Sequence, residues 1–159
     1  IRSRTSEGFL VCVRISPEHD VGGTMPDSLE LAGMMGDWGM DLLHISCWDA
    51  FTGAQGEPDD SRTITRRFRD FLGDEVPIIS TGAVWDGVDA QFVLDEGADL
   101  VGVARVAIAH SNWAIEVESG GYAPKRPPFS PEHLIEQGLS QTFIDYMRRW
   151  KGFVSDGRS

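Results

Sequence analysis

The chain has 159 residues, 41% of them hydrophobic, which is enough to build the core of one ordinary domain. Its formal net charge is −11, from 25 acidic and 14 basic residues, so its electric field repels phosphate backbones and argues against nucleic acid as a partner. No apolar run approaches the roughly 20 residues of a membrane span, and its two cysteines, Cys12 and Cys47, lack a metal-site spacing, so we expect no membrane insertion, no metal and a reducing, cytoplasmic setting.

The first predicted strand, residues 10–15, alternates between two faces. One face carries only β-branched residues and is expected to lie under helices. The other face carries Leu10, Cys12 and Arg14. Arg14 is therefore predicted on the inner face of a sheet, close to the carboxyl end of its strand.

The first predicted helix begins at the pattern Thr24-x-x-Asp27, with Pro26 in its first turn. Its end is predicted at Gly39, because glycine readily adopts the left-handed conformation found at helix C-termini. The expected buried face carries apolar residues at i, i+3, i+4 and i+7, namely Leu31, Met34, Met35 and Trp38.

A second strand–helix unit follows the first helix. Residues 42–46 are predicted as a strand, in which His44 and Ser46 share the inner face. His44 could face a ligand, although a hydrogen-bonded interior histidine is the favoured interpretation. A loop rich in Gly, Asp and Pro then leads to a helix that ends at Gly73. The apolar residues expected on one face of this helix are Ile64, Phe68, Phe71 and Leu72.

Residues 76–105 contain a strand, a helix and a second strand. The strands are predicted at 76–80 and 100–103, and the helix between them directs Ala90, Val93 and Leu94 inward and stops at Gly97. A strand–helix–strand order makes a parallel pair with a right-handed crossover. The chain up to this point therefore predicts four βα units and a parallel sheet.

The two turns that follow these strands indicate an anion site. The first strand runs into Gly82 and Ala83, small residues that let a ligand approach the backbone, and the second runs into Ala104 and Arg105. Ligands of parallel α/β folds bind at the carboxyl ends of the strands. In eight-stranded barrels the turns after the last two strands often bind a phosphate. The two turns are therefore predicted to form a phosphate site.

Beyond Arg105 the pattern becomes helical. A short helix is predicted at 112–118, a proline-rich linker at 124–128 and a further helix from Ser130-Pro131. A terminal helix is predicted at 141–150, where apolar residues again recur at helical spacing: Phe143, Tyr146, Met147 and Trp150.

Four segments occur in order along the chain: VRISPEHDVGGT, GMDLLHIS, VPIISTGAV and GADLVGVAR. Together they resemble the second half of the Old Yellow Enzyme family, the FMN-dependent NADH:flavin oxidoreductases and ene-reductases. The resemblance implies an α/β fold in which residues 1–113 form the C-terminal half, units five to eight, of a (β/α)8 TIM barrel. Residues 114–159 would add a linker and extra C-terminal helices.

The resemblance also implies cofactor-binding residues. Arg14 matches the arginine that lies beside the pyrimidine edge of FMN, and Gly82 and Ala83 match the turn whose backbone amides face the phosphate. Arg105 matches the arginine that binds the phosphate, whereas Ala104 stands where the family usually has glycine. The family's substrate-binding polar pair belongs to the missing N-terminal half. No catalytic residue is therefore assigned in this chain.

The implied reaction passes hydride from NADH or NADPH through FMN to an activated alkene or enone, a small-molecule substrate. One alternative is a phosphate-binding barrel enzyme without flavin. Another is a non-catalytic half-barrel that acts as a binding or assembly subunit. Because four units leave open sheet edges, the expected partner is the missing N-terminal half-barrel segment or a second copy of the chain.

Overall fold

The computed structural model describes residues 1–18 and 23–155. The predicted motif VRISPEHDVGGT therefore has its central HDVG segment outside the described residues. The chain divides into two compact units. The first comprises Ile1–Val84 and Val88–Gly102, and the second comprises residues 85–87 and the chain from Val103 onward. The predicted domain division, 1–113 and 114–159, stays a prediction.

A four-stranded parallel sheet forms the centre of the first unit, in the order β1-β2-β3-β4. This confirms the predicted series of βα units. Each strand follows its predecessor in space as well as in sequence, which is the commonest arrangement of consecutive strands. The elements are β1 Cys12–Ile15, α1 Met25–Asp37, β2 Leu42–Ser46, α2 Ile64–Leu72, β3 Ile78–Thr81, α3 Gly87–Asp95 and β4 Leu100–Gly102, preceded by a short 3-10 helix, Arg2–Arg4.

Helix α1 starts where its local sequence predicts. The backbone N–H of Asp27 donates to the hydroxyl of Thr24 at 3.3 Å, and the backbone N–H of Thr24 donates to the Asp27 carboxylate at 3.1 Å. This capping box satisfies N–H groups that have no partner within the helix. At the other end, Gly39 has φ of 85°, the left-handed conformation expected after a helix.

The predicted buried face of α1 is wrong at three of its four positions, whereas Met35 does pack, partly buried, against the core. Leu31, Met34 and Trp38 are 44%, 43% and 65% exposed. The helix instead buries Met25 and Ala32 completely against the core. The larger side chains of Leu31, Met34 and Trp38 are left on the outer surface. Periodicity identified one apolar face of this helix, but the face that carries Met25 and Ala32 is the one that packs against the core.

Helix α2 packs its predicted face only in part. Ile64 and Phe68 are buried, whereas Phe71 is 53% exposed. A buried hydrogen bond of 2.7 Å joins the hydroxyl of Thr65 on α2 to that of Ser80 on β3, so both polar groups are satisfied inside the core. The apolar core of this unit otherwise consists of Met25, Ala32, Met40, Leu43, Ile45, Ala54, Ile64, Phe68, Val76 and Ile78.

The second unit is built from short helices around a core of its own. They are α4 Arg105–Ala109, α5 Trp113–Glu118, α6 Pro131–Glu136 and α7 Gln141–Met147. The N-cap of α6 is Ser130, as predicted, and the N-cap of α7 is Ser140. The side-chain hydroxyl of each serine accepts a hydrogen bond from a backbone N–H in the first turn of its helix. Helix α4 was not predicted, because five residues are too few to show helical periodicity. The core residues are Trp85, Val106, Ala109, Phe129, Leu134, Ile144, Met147, Phe153 and Val154.

The apolar stripe predicted for the terminal helix is buried only at Met147. Phe143, Tyr146 and Trp150 are 39%, 43% and 36% exposed and contact one another, with ring centroids 5.8 and 5.1 Å apart along the series. Ile144 supplies the second buried side chain of the helix instead. Across residues 1–18 and 23–155, none of the helices has the length and apolar character needed to cross a membrane.

Candidate functional site

The inner face of the sheet in the first unit carries a patch of polar side chains near the carboxyl ends of the strands. Strand register places Arg14 beside His44 and Ser46 beside Thr81, and Thr81 in turn lies beside Gly102. Neighbours in register on parallel strands point to the same face. The alternation predicted for β1 and β2 is therefore confirmed, and it directs these side chains away from the helix-covered core.

Two hydrogen bonds connect this polar patch. The guanidinium of Arg14 donates to the hydroxyl of Ser46 at 2.7 Å, and Nε2 of His44 lies 2.7 Å from the hydroxyl oxygen of Thr81. Burial, together with the positive charge of Arg14, lowers the pKa of His44 below its usual value. The imidazole is therefore neutral at pH 7, and Arg14 carries the positive charge of the patch.

Gly102 makes room for this arrangement. A Cβ atom at position 102 would lie 1.8 Å from the hydroxyl oxygen of Thr81 and 3.3 Å from Nε2 of His44. The His44–Thr81 hydrogen bond thus occupies the space that any larger residue would need. Sequence analysis did not assign Gly102 a role. The sequence feature that could have indicated this role is a glycine within a predicted strand, because such glycines often mark a close approach of other groups.

Gly82 follows β3 and is closely packed. A Cβ atom there would lie 2.8 Å from the backbone nitrogen of Ala50 and 2.9 Å from the carbonyl oxygen of Cys47. The backbone N–H of Ala50 donates to the Gly82 carbonyl at 3.3 Å. The loop after β2 therefore requires glycine at this position, independently of any ligand. Ala83 has φ of 54°, a left-handed conformation that is uncommon for a residue with a Cβ.

Cys47, at the end of β2, has an unreactive thiol. Burial raises the pKa of Cys47 to about 12, and the negative charges of Asp49 and Glu18 add to the effect. Because the thiolate is the nucleophilic form, this side chain is suited to packing and not to covalent chemistry. Trp48, which follows it, is 81% exposed.

The second unit places two arginines on one aromatic ring. The guanidinium carbon of Arg105, the predicted phosphate-binding residue, lies 6.0 Å from the centroid of Trp85, and that of Arg126 lies 4.9 Å from it. Both distances fall within the range of cation–π attraction. Sequence analysis missed Arg126, which is 21 residues beyond Arg105 in a segment predicted only as a linker.

The predicted cofactor residues are divided between the two units. Arg14, Gly82 and Ala83 belong to the first, at or just beyond the carboxyl ends of β1 and β3. Ala104 and Arg105 belong to the second, at the start of α4. The joint phosphate site of these four turn residues stays a prediction.

Two curated relatives of this chain have NADH in their names, and one of the two names also includes a flavin. The chain is 34% identical over 114 residues to the probable NADH-dependent flavin oxidoreductase YqiG of Bacillus subtilis (strain 168), covering 70% of this chain and 31% of that protein. It is 27% identical over 124 residues to the NADH:fumarate oxidoreductase of Klebsiella pneumoniae (strain 342), covering 75% of this chain and 13% of that protein. No protein-family model matches the chain.

Among solved structures, morphinone reductase is similar to this chain with a TM-score of 0.54 and 22% identity. The match covers 78% of this chain and 32% of that one. It supports the predicted fold, part of a parallel βα barrel. The chain thus spans less than a third of the length of each of these three proteins.

Proposed function

Because this chain belongs to the Old Yellow Enzyme family, we propose that it forms the phosphate and pyrimidine side of an FMN site in an NAD(P)H-dependent oxidoreductase. The proposed reaction passes hydride from NADH or NADPH to an activated alkene or enone. FMN, when bound, accepts the hydride and then donates it. The observation that carries the proposal is the charged polar patch around Arg14. It lies near the carboxyl ends of the strands, where parallel barrels bind ligands.

The residues of the polar patch fit the pyrimidine edge of a flavin. Arg14 is the permanent cation of the patch, and its bond to Ser46 restrains the guanidinium. A fixed positive charge stabilises negative charge that develops beside it during reduction, at N1 and O2 of the ring. The neutral imidazole of His44 adds no second charge there. The patch therefore suits a group that becomes more negative as it accepts electrons.

Arg105 fits a phosphate group. Its planar guanidinium can donate two parallel hydrogen bonds to two phosphate oxygens. Its placement on Trp85 reduces the freedom that a long side chain loses on binding. The resemblance to the family also assigns the backbone N–H groups of the turn residues Gly82, Ala83 and Ala104 to phosphate binding.

The direct test of this proposal is flavin binding by the purified chain. We expect Arg105→Ala to weaken FMN binding by roughly 1.5 to 3 kcal/mol, the usual range for a charge-assisted contact. Arg149→Ala is the matched control, because Arg149 also lies over an aromatic ring, Tyr146, at 5.0 Å. Equal FMN affinity in wild type and Arg105→Ala would contradict the role of Arg105. A protein that binds phosphate but no flavin would favour the non-flavin barrel enzyme.

A second test measures the redox potential of the bound flavin. Arg14→Met keeps much of the aliphatic stem and removes the charge, so the reduced form loses more stabilisation than the oxidised form and the midpoint potential falls. Arg14→Lys retains the charge and should keep the potential closer to that of the wild type. An unchanged or raised potential in Arg14→Met would place Arg14 away from the pyrimidine edge.

A further inference from the structure

The guanidinium of Arg14 is held by a neutral group. Within the part of the chain that the structure describes, its bond of 2.7 Å to the hydroxyl of Ser46 is its only hydrogen bond, and it forms no ion pair there. By contrast, Arg62 and Arg67 bind carboxylates at 2.7 and 2.8 Å, and Arg69 also binds one. In a chain with 25 acidic residues, Arg14 thus keeps a positive charge that no described carboxylate neutralises.

Strand register sets the direction of this hydrogen bond. Arg14 pairs with His44, and Ser46 lies two residues further along β2 on the same face. The bond therefore draws the guanidinium toward the carboxyl ends of the strands, where parallel barrels bind ligands. Arg14 is exposed and Ser46 is half-buried, so the long side chain is anchored on a residue of the sheet itself. Without such an anchor, an exposed arginine samples many rotamers.

A hydroxyl group suits the task of holding a cation that must stay charged. Arginine has no acceptor, so the guanidinium is the donor of this bond and the Ser46 oxygen is the acceptor. A carboxylate at the same position would also accept the bond, but it would cancel the charge. The serine instead fixes the place of the cation and leaves its charge available to a ligand.

We propose that Ser46 is a positioning residue, which holds the Arg14 guanidinium at the carboxyl ends of the strands as an uncompensated positive charge that faces the ligand. The inference rests on the proposed function insofar as that ligand is the flavin. Ser46 acts through Arg14, so its removal changes the site only when the guanidinium is present.

The imidazole of His44 reports on Arg14 in the absence of any ligand. Burial lowers the pKa of His44, and the positive charge of Arg14 on β1 lowers it further. On its other side, His44 faces Thr81 on β3 and Gly102 on β4, which are uncharged. A guanidinium that leaves Ser46 for solvent should therefore raise the pKa of His44.

The experiment follows the His44 ring signals of the full chain by NMR from about pH 8 to about pH 5, on either side of the ordinary histidine pKa. His44→Gln assigns the signals. We expect Ser46→Ala to raise the pKa of His44, and Ser46→Thr, which retains the hydroxyl, to keep it at the wild-type value. In the Arg14→Met background, Ser46→Ala should add no further change, because no guanidinium remains to be released.

Ser28→Ala is the matched control, because Ser28 lies on α1, on the helix-covered side of the sheet, and should leave the pKa of His44 unchanged. If Ser46→Ala fails to fold, Ser46→Cys takes its place, since cysteine has a similar volume and its sulfur is a weak acceptor. An unchanged His44 pKa in the folded variant, or a rise of equal size in the Arg14→Met background, would overturn the inference.

The redox potential of bound FMN distinguishes this inference from the proposed function. If both hold, Ser46→Ala lowers the midpoint potential less than Arg14→Met does, and the double variant matches Arg14→Met alone. If the His44 titrations give the expected pattern but FMN does not bind, Ser46 positions Arg14 and the proposed function fails. If Arg14→Met lowers the potential but Ser46→Ala leaves both the potential and the His44 pKa unchanged, the proposed function stands and the role of Ser46 fails.

Discussion

His44 shows how one residue combines structural and electrostatic roles. It lies between Arg14 on the neighbouring strand β1 and Thr81 on β3, and it contacts the latter through Nε2. Charging this imidazole would place two positive charges side by side on a partly buried face. The lowered pKa of His44 records that cost. The favoured sequence interpretation, a hydrogen-bonded interior histidine, agrees with this geometry.

The lowered pKa of His44 predicts an acid-dependent loss of stability. The folded protein binds a proton at this site less readily than the unfolded chain does, so the contribution is complete above the unfolded pKa of about 6.5. It is lost as the pH falls through the lower folded pKa. We expect the free energy of unfolding, measured with urea, to fall below about pH 6.5 in the wild type, and the profile of His44→Gln to be flatter.

Three carboxylates with lowered pKa values affect stability in a separate, more acidic pH range than His44 does. Asp27, Asp41 and Asp60 are stabilised as anions by hydrogen bonds, so their contributions are lost only as the pH falls below about 4. Both proteins should show that later loss. Identical profiles for wild type and His44→Gln between pH 7 and 5 would rule out a neutral, proton-resistant His44.

At the scale of elements, the contact between β3 and β4 depends on Gly102, which has no side chain. Gly102 lies beside Thr81 in register, and the Thr81 hydroxyl turns toward His44 in the space above the glycine. This allows a polar side chain and its hydrogen bond to fit on the inner face of a tightly spaced sheet. The alternation of the strand predicts which face position 102 uses. It does not predict that a neighbouring side chain fills the position.

We predict that Gly102→Ala destabilises the protein by about 1–3 kcal/mol, the usual cost of overpacking. The added methyl group would collide with the Thr81 hydroxyl and force it away from His44. The midpoint of urea unfolding measures the loss. In the double variant Gly102→Ala/Thr81→Ala the collision partner is removed, so the added cost of Gly102→Ala should be much smaller than in the wild-type background. Strict additivity of the two substitutions would contradict the close approach.

At the scale of the whole molecule, the sheet of the first unit has exposed apolar surface at one edge and on one face. β1 pairs with β2 on one side, and the described strands offer it no second neighbour. Leu10, just before β1, is 74% exposed, and an apolar groove beside this edge is lined by Val11, Val13, Met35 and Trp38. Open edges and apolar surfaces recruit further chain. This supports the expectation of a missing half-barrel segment or a second copy.

Cys12 lets this expectation be tested, because it is exposed on the inner face that a closed barrel would cover. We expect the isolated chain to sediment as an assembly at micromolar concentration, and alkylation of Cys12 by iodoacetamide at pH 8 to slow as that assembly forms. Cys47 is the internal control, since its pKa of about 12 should leave it unmodified throughout. A stable monomer that binds FMN tightly and keeps Cys12 freely reactive would contradict the half-barrel interpretation.

The sequence alone determined the number, order and type of the four βα units and the caps of several helices. Apolar strands separated by helical periodicity predict parallel units, and the capping box of Thr24 and Asp27 depends on atoms within one helical turn. The resemblance of its motifs to a flavin-enzyme family was visible at the same stage. Residues such as Arg14 could be placed at strand ends because alternation is a local property.

The tertiary structure decided which groups meet when they are distant in sequence. It selected the face of α1 that carries Met25 and Ala32, and it left Leu31, Met34 and Trp38 of the predicted stripe exposed. It showed that the loop after β2 requires Gly82, and that Thr81 requires Gly102. It also brought Arg126 to the ring of Trp85. These outcomes depend on side-chain volume and charge in three dimensions, which local periodicity does not contain.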